Sequence, residues 1–130
     1  KIYALMYDLL WMLQRGTGEP ERQGKSYAAY TKAYLEDSYM FPVCMQTLAE
    51  RLHIDRRYMT AVFREAFGVS PQAYLTELRL RRARDFLQQG YPVGEAALMA
   101  GFSDPANFSR KYRQRFGVSP VTDRNNVSNS

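Results

Sequence analysis

The side chains that most often carry out covalent or metal chemistry are scarce in this 130-residue chain, which has one cysteine, Cys44, and one histidine, His53. An enzyme of that kind needs a base beside its nucleophile, or a cluster of metal ligands. Cys44 lies among apolar residues just before a predicted helix, a setting typical of a buried, unreactive thiol. His53 is expected in a tight turn, because histidine is enriched at positive φ. We therefore predict no enzyme activity, no cofactor and no metal site.

Arginine is the abundant charged side chain, and it is distributed unevenly. Residues 1–44 carry five basic and five acidic side chains, whereas residues 45–130 carry thirteen basic ones, twelve of them arginine, and eight acidic ones. The whole net charge of +5 therefore belongs to the second part of the chain. Arginine forms forked hydrogen bonds to phosphate and to guanine, so this bias favours a nucleic acid partner. Charge alone also fits a surface that binds nothing.

The arginines recur at helical spacing on two predicted helices, 56–66 and 105–116. The outer face of the first helix carries Arg56, Arg57, Thr60, Ala61 and Arg64. The outer face of the second carries Ala106, Asn107, Ser109, Arg110 and Arg113. In a major groove, arginine can bind guanine, asparagine can bind adenine, and the methyl groups of alanine and threonine can contact thymine. A solvated charged face is the alternative that these residues by themselves leave open.

An internal repeat decides between these two interpretations. The stretch FREAFGVSP at 63–71 recurs as YRQRFGVSP at 112–120, an offset of 49, whereas Ala49 matches Ala97 at an offset of 48. Each copy predicts a short helix, a tight turn that is one residue longer in the second copy, a longer helix and a Gly-Val-Ser-Pro end. The small residues at 49 and 97 permit the close helix crossing of a helix-turn-helix motif.

The residues before and after the repeat have the patterns of an additional helix, a linker and a tail. Apolar residues at helical spacing predict a helix within residues 1–15, and the Gly- and Pro-containing stretch 16–26 predicts a flexible linker. The apolar stripe of that helix has nothing local to bury it, which favours self-pairing into a homodimer or attachment to a missing domain over packing back on the domain. The domain itself is expected over 27–124, and a disordered tail over 125–130.

The fold class that the repeat predicts is all-α, with two homeodomain-like three-helix units in tandem. The first unit covers about 27–70, a long linking helix covers 71–89, and the second unit covers about 91–124. At ~1.5 Å per residue the linking helix would span about 28 Å, close to the ~34 Å of one DNA turn, so one chain could read two successive major-groove segments.

The location of the protein is also constrained by what the sequence lacks. No apolar run approaches the ~18 residues of a membrane span, and the first helix has no small-residue cleavage site for secretion. A single cysteine suits a reducing compartment. We therefore expect a cytoplasmic protein without a membrane partner. Because the chain does not begin with methionine, we expect it to be a piece of a longer protein.

The repeat resembles the AraC/XylS family of bacterial transcription regulators over about residues 27–124. The stretch GFSDPANFSRKYRQRFGVSP at 101–120 is similar to the C-terminal signature of that family, and residues 48–87 are similar in order and spacing. The resemblance implies a sequence-specific domain for double-stranded promoter or operator DNA, most often an activator that contacts RNA polymerase subunits. It also implies that an effector binds a missing N-terminal domain, of which residues 1–15 are the last, dimerising part.

The resemblance implies roles for individual side chains as well. Base contacts fall on Arg57, Thr60, Ala61, Ala106, Asn107 and Arg110. Phosphate contacts fall on Arg56, Tyr58, Arg64, Arg79, Ser103, Lys111 and Arg113. The chain departs from the family pattern at His53 in place of a turn glycine, at Ala96 in place of a larger aliphatic residue, and at Asp123 in place of an aromatic residue. The last departure predicts a frayed or absent final helix. A helical protein-interaction module with an incidental basic surface is the alternative function.

Overall fold

A computed structural model of the chain describes residues 20–128, and the helix predicted within residues 1–15 lies outside that range. The described residues form seven α-helices and no strand. The helices are α1 Pro20–Ser38, α2 Met45–Arg51, α3 Arg56–Phe67, α4 Pro71–Gln88, α5 Val93–Met99, α6 Pro105–Phe116 and α7 Pro120–Ser128. Within 20–128, no helix combines the length and the hydropathy that crossing a bilayer demands. The all-α class is confirmed.

The described chain divides into two compact units. The first comprises residues 20–38 and Pro42–Leu75, and the second comprises Tyr39–Phe41 and 76–128. Helices α2 and α3 form the helix-turn-helix motif of the first unit, and α5 and α6 form that of the second. Helix α4 begins in the first unit and ends in the second. The predicted tandem of two helix-turn-helix units joined by a long helix is therefore confirmed.

The core of the first unit forms where α3 packs against α1 and α2. Met59 and Phe63, on the inner side of α3, are fully buried together with Leu35 of α1 and Leu48 of α2. Each of these side chains contributes about 1.5–3 kcal/mol when it leaves water. The apolar spacing that predicts an inner edge for α3 is thus the spacing that closes this core.

The core of the second unit is built around aromatic side chains of the turn and of α6. Phe102, Phe108 and Tyr112 are buried, with ring centroids 4.9 Å apart for the first pair and 5.6 Å apart for the second. Ala96, one of the departures from the family pattern, is fully buried in the same cluster, beside the equally buried Ala100. The rings of Phe108 and Tyr112 form the buried inner side of α6.

Aspartate N-caps define where the second helix of each motif begins. The side chain of Asp55 accepts a hydrogen bond from the backbone N–H of Arg57 at 3.3 Å, and that of Asp104 accepts one from Ala106 at 3.1 Å. Such caps satisfy backbone donors that have no partner within the helix. The two caps are 49 residues apart, so Ser103 is the extra residue of the second turn.

The Gly-Val-Ser-Pro ends have the same local structure in both units. Gly68 and Gly117 end their helices with φ of 83° and 80°, in the left-handed region. The hydroxyls of Ser70 and Ser119 each accept a hydrogen bond at 3.1 Å from the backbone N–H three residues later. The repeated Gly-Val-Ser-Pro end thus forms a glycine C-cap and a serine N-cap in each unit, because this chemistry depends only on neighbouring residues.

Helix α1 begins at Pro20, seven residues before residue 27, where the domain is expected to begin. Residues 20–26 are therefore helical where the composition predicts a flexible linker. Gly24 explains the difference, since it is buried and a Cβ there would lie 3.2 Å from Cγ1 of Val62 on α3. This glycine allows α1 to approach α3 closely, a role that composition does not distinguish from that of a linker glycine.

Helix α7 is present over Pro120–Ser128, so the prediction of a frayed or absent final helix is wrong. The disorder expected from residue 125 also does not begin there, because the helix continues through 128. Asp123, the departure that suggested fraying, is instead bonded within the unit. Its carboxylate accepts a hydrogen bond from the Tyr112 hydroxyl and pairs with Arg84 at 3.4 Å.

Candidate nucleic-acid interface

Helix α3 has a buried side and, opposite to it, a row of exposed basic and small side chains. At about 100° per residue, Arg57, Ala61 and Arg64 lie on the side away from Met59 and Phe63. All three are exposed. We call these three residues the outer row of α3. The outer row presents the methyl group of Ala61 with one guanidinium group on each side of it.

The other predicted contacts of the first unit flank the outer row of α3. Arg56 is exposed in the first turn, and Thr60 is half-buried beside the row. Tyr58 is exposed, and its ring meets the edge of Tyr27 from α1 with centroids 6.0 Å apart. The structure therefore brings the six predicted site residues of this unit onto one helix, with the flanking tyrosine held in place by α1.

Helix α6 repeats this arrangement with a different order of side chains. Its outer row comprises Ala106, Arg110 and Arg113, each 49 residues after a member of the α3 row. These side chains are exposed and lie opposite Phe108 and Tyr112. The order from the N-terminal end is Arg-Ala-Arg on α3 and Ala-Arg-Arg on α6. Since arginine and alanine favour different base edges, the two helices would prefer different base sequences.

The remaining predicted contacts of the second unit lie beside the α6 row. Arg110 donates a hydrogen bond from Nη2 to the side-chain oxygen of Asn107 at 3.4 Å, which places these two predicted base contacts side by side. Ser103 is exposed before the N-terminus of α6, and Lys111 is half-buried on the flank of the helix. Apart from Arg79, the predicted site residues thus lie in or beside the outer rows of α3 and α6.

Arg79, predicted to contact phosphate, has a different place. Its Nε donates to the carbonyl oxygen of Tyr39 at 2.8 Å, and its Nη2 donates to that of Phe41 at 2.9 Å. The guanidinium is half-buried, and burial lowers its pKa below the usual value. Arg79 therefore fastens the segment Tyr39–Phe41 to α4. The sequence carries no signal for this role, because both partners are backbone atoms about forty residues away.

The turns of the two motifs differ in what surrounds them. His53 has a φ of 58°, as predicted for a turn residue, and it is exposed. Its counterpart Gly101 has a φ of 100°, and a Cβ there would overlap the carbonyl oxygen of Tyr39 and lie 2.8 Å from Nε of Arg79. Glycine at 101 is therefore required for space as well as for conformation.

Like Asp123, Glu77 is a salt-bridged carboxylate, and it connects α4 to α6. Glu77 accepts hydrogen bonds from Nε of Arg115 at 2.5 and 3.0 Å and from Nε of Arg81 at 3.0 Å. Burial raises the pKa of Glu77, but the bonds from Arg115 and Arg81 outweigh it and leave the pKa below its ordinary value. The charge of Arg115 is thus largely matched within the unit, and we do not count this residue among the phosphate contacts.

Cys44 is exposed at the N-cap of α2, and the prediction that it is buried is wrong. Hydrogen bonding with Thr47 lowers the pKa of its thiol. Among residues 20–128, no group of three or more histidine, cysteine, aspartate or glutamate side chains is arranged to hold a metal ion.

Comparison with known proteins also identifies helix-turn-helix domains and transcription regulators. The family model described as "Helix-turn-helix domain" matches residues 48–126. HTH-type transcriptional regulator ArgR of Pseudomonas aeruginosa is 36% identical over 107 residues, which cover 80% of this chain and 32% of ArgR. HTH-type transcriptional activator RhaS of Salmonella arizonae is 36% identical over 89 residues, covering 68% of this chain and 32% of RhaS. The chain spans about a third of the length of these relatives.

Solved structures identify which family of helix-turn-helix proteins the chain resembles. A probable AraC family transcriptional regulator from Rhodopseudomonas palustris matches with a TM-score of 0.69 at 29% identity, over 78% of this chain and 96% of that one. This chain belongs to the AraC/XylS family. Another structure of the same fold, the DNA-binding domain of the global transcriptional factor AdpA in complex with a target DNA, matches with a TM-score of 0.70 at 28% identity, over 75% and 88% of the two chains. The AraC-family proteins matched here are transcription regulators rather than enzymes, in agreement with the prediction from Cys44 and His53.

Proposed function

We propose that this AraC-family chain binds double-stranded promoter DNA in a sequence-specific manner by inserting α3 and α6 into successive major-groove segments. The observation that carries the proposal is the outer row, which recurs at the same positions of both helices and lies opposite a buried side in each. An α-helix with its side chains is about 10–12 Å wide and fits a major groove of about 12 Å. The likeness to AdpA, a relative whose domain was solved on DNA, supports it.

Within this proposal the predicted side chains divide into two groups. The base contacts are Arg57, Thr60 and Ala61 in the first unit and Ala106, Asn107 and Arg110 in the second. The phosphate contacts are Arg56, Tyr58, Arg64, Ser103, Lys111 and Arg113. Arg79 leaves the second group, because its guanidinium bonds two backbone carbonyls. Phosphate contacts fix the position of a protein on the duplex, whereas base contacts determine its sequence preference.

The proposal extends to the regulator as a whole. We expect activation, as the name of the relative RhaS supports. Contact with RNA polymerase subunits is the expected means. An N-terminal domain would bind the effector and dimerise, with residues 1–15 as part of it, and the DNA-binding domain would run to about residue 124 in a cytoplasmic protein. Transcription from a promoter bearing the bound sequence, with purified polymerase, tests the direction: an increase supports an activator, and a decrease contradicts this part.

Selection of bound duplexes from a random pool at near-physiological salt tests the central claim. We expect an enriched motif of two blocks, spaced by about one helical turn of 10–10.5 base pairs. Binding without enrichment would reduce the chain to a non-specific basic domain. If the chain bound no duplex even at low salt, the protein-interaction module would be the better function.

Removing one arginine from an outer row should relax the base preference in the block of the motif that this helix reads. We expect Arg57→Ala and Arg110→Ala to weaken binding to the selected duplex by about 1–3 kcal/mol, since each removes a forked contact to a base. The measurement is a titration of the selected duplex and of its single-base variants.

Arg82→Ala is the control for these variants, because it removes the same charge from α4, where Arg82 faces Asp85 at 3.9 Å. It should leave the base preference intact. If Arg57→Ala and Arg110→Ala weakened random and selected DNA alike, the assignment of the outer rows to base contact would be wrong.

A further inference from the structure

A partly buried hydrogen bond joins α6 to α7. Tyr112 is fully buried on the inner side of α6, and its hydroxyl donates to Oδ2 of Asp123 on α7. The same oxygen pairs with Nε of Arg84 on α4 at 3.4 Å. Burial, together with the bond to Asp123, raises the pKa of the Tyr112 hydroxyl above its usual range, so this group remains a protonated donor. One carboxylate thus bonds to two other helices of the second unit.

The first unit fills the corresponding positions with two aromatic rings. At an offset of 49, Phe63 corresponds to Tyr112 and Tyr74 corresponds to Asp123. The rings of Phe63 and Tyr74 lie with centroids 5.7 Å apart and are tilted by 59°. In each unit, therefore, these two positions connect the inner side of the second motif helix to the helix that follows it. Only in the second unit is that connection a directional hydrogen bond to a charged group.

We propose that Asp123 is a positioning residue for base recognition by the second unit. Acting through Tyr112, it fixes the rotation of α6 about its own axis and so directs Arg110 and Asn107 toward the base edges. The inference rests on the proposed function. It goes beyond that function because Asp123 itself lies on α7 and has no place among the contacts to DNA.

A small rotation of α6 would be enough to disturb base recognition. At about 5 Å from the helix axis, a rotation of roughly 20° moves a side-chain atom by about 2 Å. Hydrogen bonds tolerate only a few tenths of an ångström around their preferred length and a limited range of angles. The apolar packing of Phe108 restricts rotation less sharply, because hydrophobic contacts have no direction. The bond from Tyr112 to Asp123 supplies that direction.

Glu77 provides a matched control for the loss of a carboxylate that contacts α6. It also bonds α6, through Arg115, but this ion pair is more exposed than that of Asp123: the side chain of Glu77 is 28% exposed and that of Asp123 is 16% exposed. Exposed ion pairs hold their partners weakly. Asp123→Ala and Glu77→Ala each remove one negative charge and the contact with one side chain of α6, so any general effect of charge on DNA affinity is common to both.

The experiment uses the 130-residue chain and the duplex selected by the parent protein. For the parent, Asp123→Ala, Tyr112→Phe and Glu77→Ala, affinities are measured for that duplex and for single-base variants in each block. The block that Arg110→Ala relaxes is the one read by α6. We expect Asp123→Ala and Tyr112→Phe to lower the preference in that block by about fivefold or more, the lower limit for one forked contact. The other block should stay within about twofold, as should both blocks for Glu77→Ala.

Circular dichroism separates positioning from stability, since a purely structural role lowers the thermal midpoint without changing base preference in the folded protein. Tyr112→Phe keeps the ring and removes only the hydroxyl, so it tests the inference even if Asp123→Ala fails to fold. The inference is overturned if a folded Tyr112→Phe or Asp123→Ala keeps the parent preference, or loses it equally in both blocks. If the parent itself enriches no two-block motif, the proposed function fails first, and the two failures are distinguishable.

Discussion

Replacing Gly101 by alanine should destabilise the second unit by about 2–6 kcal/mol. The residue has a φ of 100°, where an L side chain is strained, at a cost of about 1–3 kcal/mol. The added Cβ would also overlap the carbonyl oxygen of Tyr39 and lie 2.8 Å from Nε of Arg79. Since backbone has to move to relieve that overlap, overpacking should add about 1–3 kcal/mol. The measurement is urea unfolding followed by circular dichroism.

His53 provides the matched control in the first unit. It occupies the same turn position with a φ of 58° and is exposed. His53→Gly should be neutral or stabilise the chain by up to about 1 kcal/mol, because it relieves conformational strain in an open site. His53→Ala should cost less than about 1 kcal/mol, because the side chain is exposed and alanine keeps the same Cβ. If Gly101→Ala cost no more than His53→Ala, the packing of Tyr39 against the second turn would be contradicted.

The contrast between the two turns illustrates what the sequence can predict. His53 and Gly101 are both predictable as positive-φ residues, because a tight turn requires that conformation whatever surrounds it. The aspartate N-caps and the glycine C-caps follow the same logic, since each satisfies groups a few residues away. That the turn glycine is replaceable at 53 and required at 101 depends on Tyr39, which is distant in sequence and contributes a backbone oxygen.

The outer rows of α3 and α6 are predictable from the sequence for a similar reason. The spacing of Met59 and Phe63 defines the buried side of α3, and the exposed row must then lie opposite. The repeat transfers the same assignment to α6 at an offset of 49. Periodicity and repetition are sufficient here because the proposed interface consists of single helices rather than of residues gathered from distant segments.

The differences between prediction and structure arise where one residue type serves two purposes. Gly24 has the composition of a linker, but it is the contact point of α1 with Val62. Arg79 belongs by type with the phosphate contacts, yet it donates to backbone carbonyls. Asp123 departs from the family pattern and still supports α7, because Tyr112 supplies a hydroxyl where the first unit has Phe63. Each case depends on a partner that the local sequence does not reveal.

Raising the salt concentration from 50 to 200 mM should weaken binding of the selected duplex by about 150-fold. Binding to phosphates releases condensed cations from DNA, and the logarithm of affinity falls by about 0.9 per phosphate neutralised for each decade of salt. The proposed phosphate contacts include four cationic side chains, namely Arg56, Arg64, Lys111 and Arg113. Four contacts give a slope of about −3.6. A hydrophobic protein interface would barely respond to the same change.

Arg113→Ala separates phosphate binding from base recognition on a single helix. The variant should flatten the salt slope by about one unit and weaken all duplexes about equally, because a phosphate contact carries no sequence information. Arg110→Ala, which removes the same charge three residues earlier in the outer row of α6, should instead change the preference at one base position. Titrations of the selected and a scrambled duplex at four salt concentrations distinguish these effects. An unchanged slope in Arg113→Ala, or a loss confined to the selected duplex, would place Arg113 among the base contacts or away from the DNA.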